Sequence, residues 1–377
     1  MELKRRNFLT LAGSVILSNF TIPLDLNAGT KNYSAIYFSS GADKLGNYFL
    51  SGLTNSGKEQ FRLSLPSRGH GAAYQPNSNE IAVFARRPGK YIIVVNVLSG
   101  EKLAQVTCKE DRHFYGHGVY SPDGKWLYTT ENEYDSGRGV IGVYDVKDRY
   151  RLVETLPAYG IGPHEIGLLA DGKTMVVANG GIMTHPETGR EKLNLAEMDS
   201  SLTYIEINSG KLLSAQRLLP KLRLMSIRHL DVGPDDNVAV VMQYQGPRRH
   251  LHPLVGFQKG SAAIELLSAP ETVGYHMKNY CGSVAFDSSG KIIAVSSPQG
   301  GIISFWSVQE KRFLSYVEVK DGCGIAAENT PECFRITNGL GQIIRHSPLN
   351  KKTKILISAT NTRWDNHLLL AGKFALT

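Results

Sequence analysis

The chain has 377 residues, 42% of them hydrophobic and 20% charged, with 38 glycines and 16 prolines. That excludes a disordered or collagen-like chain and leaves ample length for a core, while four cysteines without Cys-x-x-Cys spacing exclude a disulfide-built scaffold. A formal net charge of +8 admits nucleic acid or an anionic surface as a partner. However, the basic residues are scattered apart from Arg248-Arg249-His250 and Lys351-Lys352-Thr353-Lys354, which read as solvated surface.

The chain opens with Lys4-Arg5-Arg6-Asn7-Phe8-Leu9-Thr10 and a short apolar run to Phe20. A twin arginine ahead of such a run reads as a Tat export signal, so residues 1–31 are expected to be signal and linker. The mature protein, residues 32–377, is then periplasmic, which argues against nucleic acid as a partner. Phe8–Phe20 is too short for an ordinary transmembrane helix, and nothing later resembles a membrane span.

From about Asn32 onward, short apolar or alternating runs are punctuated by Gly, Pro, Asn and Asp, with no convincing amphipathic helix, a pattern of all-β structure. Strands are expected at Tyr33–Ser39, Tyr48–Leu53 and Gln60–Leu65, followed by a unit that recurs. It opens at Gly69-His70, again at Gly116-His117, at Pro163-His164, at Arg228-His229, at Gly282-Ser283 and at Gly322-Cys323. In the second unit, Gly118–Ser121, Trp126–Thr130 and Val140–Asp145 read as strands, the first two joined by the turn Pro122-Asp123-Gly124. His70, His117 and His164 are each 47 residues apart, and the next interval is lengthened by an insertion near residues 180–200. Four-stranded units of about 40–50 residues are blades of a β-propeller. A last inner strand, Asp365–Ala371, comes shortly before the chain stops, so the three N-terminal strands must complete its blade. The expected fold is an all-β, seven-bladed β-propeller closed by one C-terminal and three N-terminal strands.

The first residues of inner strands ring the mouth of the central channel. This register puts His70, His117, His164, His229 and His367 there, five of the eleven histidines, with Ser283 (Cys281 nearby) and Cys323 in the remaining blades. Taken singly, each histidine reads as an inner-strand residue bonded to a neighbouring carbonyl. Jointly, neutral imidazoles turn lone pairs to one point, which suits Cu, Zn, Fe or Ni. Iron or copper, ahead of zinc, is the expected metal. An axial channel looks too wide for five imidazoles to meet at bonds of about 2 Å, so three or four ligands plus water are expected.

Long loops on one face, Glu131–Gly139, Gly180–Ser201 and Tyr244–Ser261, add polar groups around this ring. Glu133 and Asp135 could accept from histidines, while Arg138 and Arg190 could hold an anionic substrate or a carboxylate. Alternatively, Arg138 and Asp135 merely close their own loop. Arg228, beside His229, completes an expected binding set of Arg138, Arg190, Arg228 and Glu133; His185, His250 and His252 are accessory candidates. Cys323 and Cys333 would sit at opposite ends of adjacent strands, beyond disulfide reach. Cys281 with Cys323 is the more plausible bridge, or both are thiols able to bind metal; Cys108 is expected to be inert. No Gly-x-Ser-x-Gly elbow, Walker loop or HExxH is present.

Several stretches carry a family resemblance: Arg68-Gly69-His70-Gly71, Gly116 to Gly124, Glu131–Asp145, Gly160 to Glu165, Asn179 to Ile182 with Thr184-His185-Pro186, and Ser226-Ile227-Arg228-His229. In these the chain resembles a bacterial family of exported proteins catalogued as domain of unknown function 1513, over nearly all of the mature chain, similar to YVTN and lactonase-type propellers. The resemblance implies a periplasmic protein associated with imelysin-type iron-uptake proteins and a dihaem oxidase-like partner, and it brings no established activity. The expectation is a periplasmic metal-binding propeller, an accessory factor in iron or copper uptake or handling. A lactonase-like hydrolase or oxidoreductase using the same funnel is the second expectation, and a protein-interaction scaffold with structural histidines the third.

Overall fold

A computed structural model describes residues 37–371. The export signal expected over residues 1–31 lies outside the described residues. Strands form seven sheets, six of four strands each and one five-stranded sheet that joins the two ends of the chain. In order, the inner strands of the first six blades are Gly69–Tyr74, Arg112–Tyr120, Pro163–Leu168, Met225–Val232, Ser283–Phe286 and Gly322–Ala327. Each blade is an antiparallel meander, so the chain needs only hairpins within blades.

Turn chemistry sets the first hairpin. In blade two, Asp123 accepts from the Ser121 hydroxyl (2.6 Å) and the Lys125 amide (3.1 Å), with Gly124 at φ 68°. Asp287 does the same in blade five, accepting the amides of Lys291 and Ile292 at 2.9 Å each. Middle strands such as Ile292–Ser297 and Ile302–Ser307 are buried over their whole length, because a blade's two faces both pack on neighbours. Phe84, Phe114 and Tyr144 fill the space between blades one and two, and Phe305, Phe334 and Ile336 that between blades five and six.

The seventh blade closes the ring as the sequence implied. Tyr37–Ala42, Tyr48–Leu53 and Glu59–Ser64 supply three strands, and Tyr37–Ala42 pairs with chain from the C-terminus. That C-terminal strand is not continuous. Arg363–Trp364 and Leu369–Leu370 pair with Tyr37–Ala42, and the residues between them loop out. The break is held by side chains: the Asp365 amide donates to the Ser40 carbonyl (2.9 Å) and the Ser39 hydroxyl to the His367 carbonyl (2.8 Å).

Three further expectations need correction. Glu131–Gly139 is mostly strand, since Trp126–Glu133 and Arg138–Asp145 form an elongated hairpin. Its acidic residues looked like loop material, but Arg112 on the adjoining inner strand reaches Glu131 (3.4 Å) and Glu133 (3.1 Å), so the charges are paired within the sheet. Tyr244–Ser261 contains the strand Val255–Gln258, and a short helix, Glu271–Met277, buries Val273 and Met277 on one face. All four cysteines are free and buried. The thiols of Cys281 and Cys323 face carbonyls of their own surroundings, Leu254 (4.0 Å) for the first and Thr337 and Trp364 (3.5 Å each) for the second. No helix of the described residues is long and apolar enough to cross a membrane.

Candidate metal centre

The inner strands of blades one to four break register where the site residues sit. Ladder pairing skips from Gly69 to Ala72, from Phe114 to Gly118, from Pro163 to Glu165 and from Ile227 to His229. Blade five, whose equivalent residue is Ser283, pairs without a shift, while blade six, whose equivalent residue is Cys323, skips from Gly322 to Ile325. A bulge re-aims a side chain that regular pleating would commit to one blade face, and here it frees His70, His117 and His164 from the ladder. The flanking glycines are steric requirements. A Cβ at Gly71 would lie 2.7 Å from the Gly116 carbonyl oxygen, and one at Gly116 (φ 107°) would lie 2.7 Å from His70 Cδ2. The Gly-His-Gly signature of blades one and two therefore lets two imidazoles approach to 4.9 Å between ring centres.

His70, His117, His164 and His229 are buried and His367 is partly so. Nine of their ten ring pairs have centres 4.4 to 6.4 Å apart. An ion about 2.1 Å from a ring nitrogen sits about 3.2 Å from that ring's centre, so rings at right angles around it have centres about 4.5 Å apart and opposed rings about 6.4 Å. The channel at this level is thus narrower than the sequence reading allowed for, because the bulges push the rings inward. Three sets bring their donor atoms within 4.8 Å of one another: His70, His117 and His367; His117, His164 and His229; and Glu165, His229 and His367. Donors around one ion lie at most about 4.2 Å apart, so a contraction of a few tenths of an ångström closes any of these sets.

Two carboxylates stand behind the ring. Asp365 Oδ1 lies 2.8 Å from His70 Nδ1, and Glu165 lies 3.0 Å from His229 Nδ1 and 3.3 Å from His117 Nδ1. Each contact puts the proton on Nδ1 and leaves the Nε2 lone pair to the interior, the arrangement typical of metal-ligating histidines. His117 Nε2, His164 Nδ1 and His367 Nε2 are buried without a hydrogen-bond partner. Burial keeps His70, His164, His229 and His367 neutral. Burial pushes His70 down to about 3 against the upward pull of Asp365. Burial also lowers His229, and it holds His164 and His367 well below the ordinary imidazole value, helped by Arg228 for the first and His70 for the second. Asp365 and Glu165 are opposed by burial, yet His70 for the first and His117 and His229 for the second hold them ionised well below the usual range. Among the described residues, no lysine or arginine lies within salt-bridge distance of Glu165, whose side chain is 19% exposed.

A cavity of about 140 Å³ opens on one side of the ring, lined by His70, His164 and His229 together with Arg86, Arg87, Arg190 and Arg228. The structure thus brings Arg190 and Arg228 to the histidines. Glu133 and Arg138 it pairs with each other: Arg138 Nε donates to Glu133 (2.7 Å), the Ser136 hydroxyl adds a second bond (2.7 Å), and the Arg138 side chain is 71% exposed. Neither lines the cavity. His185 does, with its ring edge on Tyr134 (5.2 Å) and its Nε2 3.6 Å from Asp135. His252 instead packs on Tyr244 (4.3 Å) and His250 is exposed.

Sequence reasoning missed Glu165, Asp365, Arg86 and Arg87. A signal existed for each: Glu165 follows His164 directly, Asp365 stands two residues before His367, and Arg86-Arg87 falls between the second and third strands of its blade, on the face where long loops were sought.

No curated protein matches the chain. Among solved structures, a chain of Kuenenia stuttgartiensis hydrazine synthase is similar at 14% identity, with a TM-score of 0.58 over 85% of this chain and 94% of that one. The β-propeller domain of Myceliophteria thermophila Cps50 (Swd1) is similar at 11% identity, with a TM-score of 0.57 over 81% of this chain and 93% of that one. At such identities the likeness is one of fold. A family model, described as "Protein of unknown function (DUF1513)", matches residues 63–371, from the third strand of the closing blade through the last described residue, and so takes in all five ring histidines and both carboxylates behind them: the chain belongs to that family.

Proposed function

We propose that this protein is a periplasmic propeller that holds a transition-metal ion, iron or copper, among His70, His117, His164, His229 and His367, and serves as an accessory factor in the uptake or handling of that metal. One observation carries the reading: buried imidazole nitrogens without partners converge while Asp365 and Glu165 fix the proton on the far nitrogen of three of the rings. Neutral imidazoles suit these metals, and a largely buried carboxylate without a cationic side chain gains from a positive ion beside it. An imelysin-type iron-uptake protein of the periplasm is the partner proposed for exchange of the ion.

Metal analysis of protein recovered from the periplasm tests this, since cytoplasmic expression can load the wrong ion. About one ion per chain is expected for the wild type, falling at least about tenfold in His117→Ala and His164→Ala. Equal metal content in all three proteins would remove the proposal.

The cavity opening on the ring favours a second reading, a lactonase-like hydrolase or an oxidoreductase. It requires turnover of a lactone or a redox substrate by the metal-loaded protein, lost in His164→Ala; a panel without turnover ends it.

A further inference from the structure

We infer that the cavity above the histidine ring is an anion subsite, built to take a small dicarboxylate across Arg86, Arg87 and Arg228. This deepens the metal reading, on which it rests only in sharing His70, His164 and His229. Arg228 is 7% exposed, and its Nε is buried without a partner. Arg86 and Arg87 are partly buried, and burial lowers both. Among the described residues, no carboxylate lies within salt-bridge distance of any of the three, and Arg87 makes one long bond, to the Thr184 hydroxyl (3.3 Å). Asp365 is committed to His70 and Arg68, and Glu165 to His117 and His229.

The rest of the molecule shows how this chain treats arginines it buries for structure. Arg112 has Glu131 and Glu133, and Arg335 donates to Glu328 through Nε (2.6 Å). Asp365 attracts Arg86 from a distance, while among the described residues no carboxylate offsets Arg87 or Arg228. Buried charge without a counter-charge is strongly disfavoured, so these clustered guanidiniums facing one polar cavity mark the place of a ligand that brings the missing negative charge. Guanidinium forks match carboxylates and phosphates bidentately. Size and lining decide between these. A cavity of about 140 Å³, in which one water needs only about 10–15 Å³, has more room than one phosphate fills. Pro88, Tyr115 and Tyr280 also line the cavity and are the residues against which a short carbon skeleton between two carboxylates would pack. A dicarboxylate seated on the arginines would turn its second oxygen pair toward the histidines.

Calorimetry and thermal melting on the full-length, metal-stripped protein test the subsite. Succinate, malate and phosphate are the probes, each at two salt concentrations. The expected result is dicarboxylate binding that weakens with salt, a rise in melting temperature with added dicarboxylate, and at least a tenfold loss of affinity in Arg228→Gln. That variant should melt at or above the wild-type temperature in ligand-free buffer, because an uncompensated charge has gone, and should lose the ligand-dependent rise. Arg138→Gln, outside the cavity, should bind as the wild type does. Absence of binding by either dicarboxylate, or equal affinity in Arg228→Gln, overturns the inference; phosphate binding tenfold tighter than both dicarboxylates overturns the ligand class. In the wild type, absence of anion binding beside a normal metal content refutes the subsite alone, and absence of metal beside normal anion binding refutes the metal reading alone.

Discussion

Replacing Glu165 by glutamine keeps the shape of the side chain and changes where protons sit in the ring. In the wild type, one oxygen accepts from the Leu230 amide (3.1 Å) and from His229 Nδ1 (3.0 Å), and the other lies 3.3 Å from His117 Nδ1. Glutamine can keep a carbonyl oxygen on the Leu230 and His229 side, but its amide nitrogen then meets His117 as a second donor. His117 must move its proton to Nε2, the buried nitrogen that now has no partner, and so withdraws one lone pair from the cluster. Loss of such a supporting carboxylate costs about 10–100-fold in metal affinity, or about 1.4–2.7 kcal/mol. Competition between metal-stripped protein and a chromophoric chelator reads the affinity directly, and circular dichroism checks that the blades remain. Wild-type affinity within about threefold in Glu165→Gln, with the fold intact, would show that the carboxylate does not set the ring's protonation and would refute the reasoning.

Two further outcomes follow from the same geometry. Burial holds His70 near 3 against an ordinary 6.5, so between these values the unfolded chain binds the proton that the folded chain refuses. Metal-free protein should therefore be most stable above pH 6.5 and lose melting temperature steadily on acidification, with the depressed Asp365 carboxylate adding to the loss only at lower pH; a melting temperature that rises from pH 7 to pH 5 would contradict this. Gly116→Ala puts a side chain at φ 107° and 2.7 Å from His70 Cδ2, so denaturant melts should show a loss of about 1–3 kcal/mol together with reduced metal content.

The repeat was open to reading because both of its markers are local. Equal 47-residue spacing between three histidines and the Pro122-Asp123-Gly124 turn fix blade length and strand order without any knowledge of packing. What escaped depends on departures from regular pleating. A period of two says which face a residue takes, but the bulges at His70, His117 and His164 lift those residues off the ladder, and no side-chain pattern announces them beyond the flanking glycines. Charges misled in both directions. Glu131 and Glu133 looked like a solvated loop, though Arg112, some twenty positions earlier, pairs with them inside the sheet. Arg138 looked available for a ligand, though its partner Glu133 stands on the same hairpin. Arg86 and Arg87 drew no notice in the sequence, because only the closed ring brings them beside Arg228. The cysteine expectation failed for a simpler reason: sharing one end of the propeller does not bring two thiols together when Cys281 is packed against Leu254 and Cys323 against Thr337 and Trp364.

The interrupted strand of the closing blade has a consequence for biosynthesis. Asp365 and His367 are made after the other ring residues, His367 emerging 138 residues after His229, which at about 5–20 residues per second is a delay of about 7–30 s. Throughout that interval the nascent polypeptide carries four of its imidazoles but lacks the latch of the closing blade, so the proposed centre has neither its fifth ring nor the carboxylate behind His70. Prematurely terminated products share this defect. A complete ring would then act as a certificate that translation had passed His367.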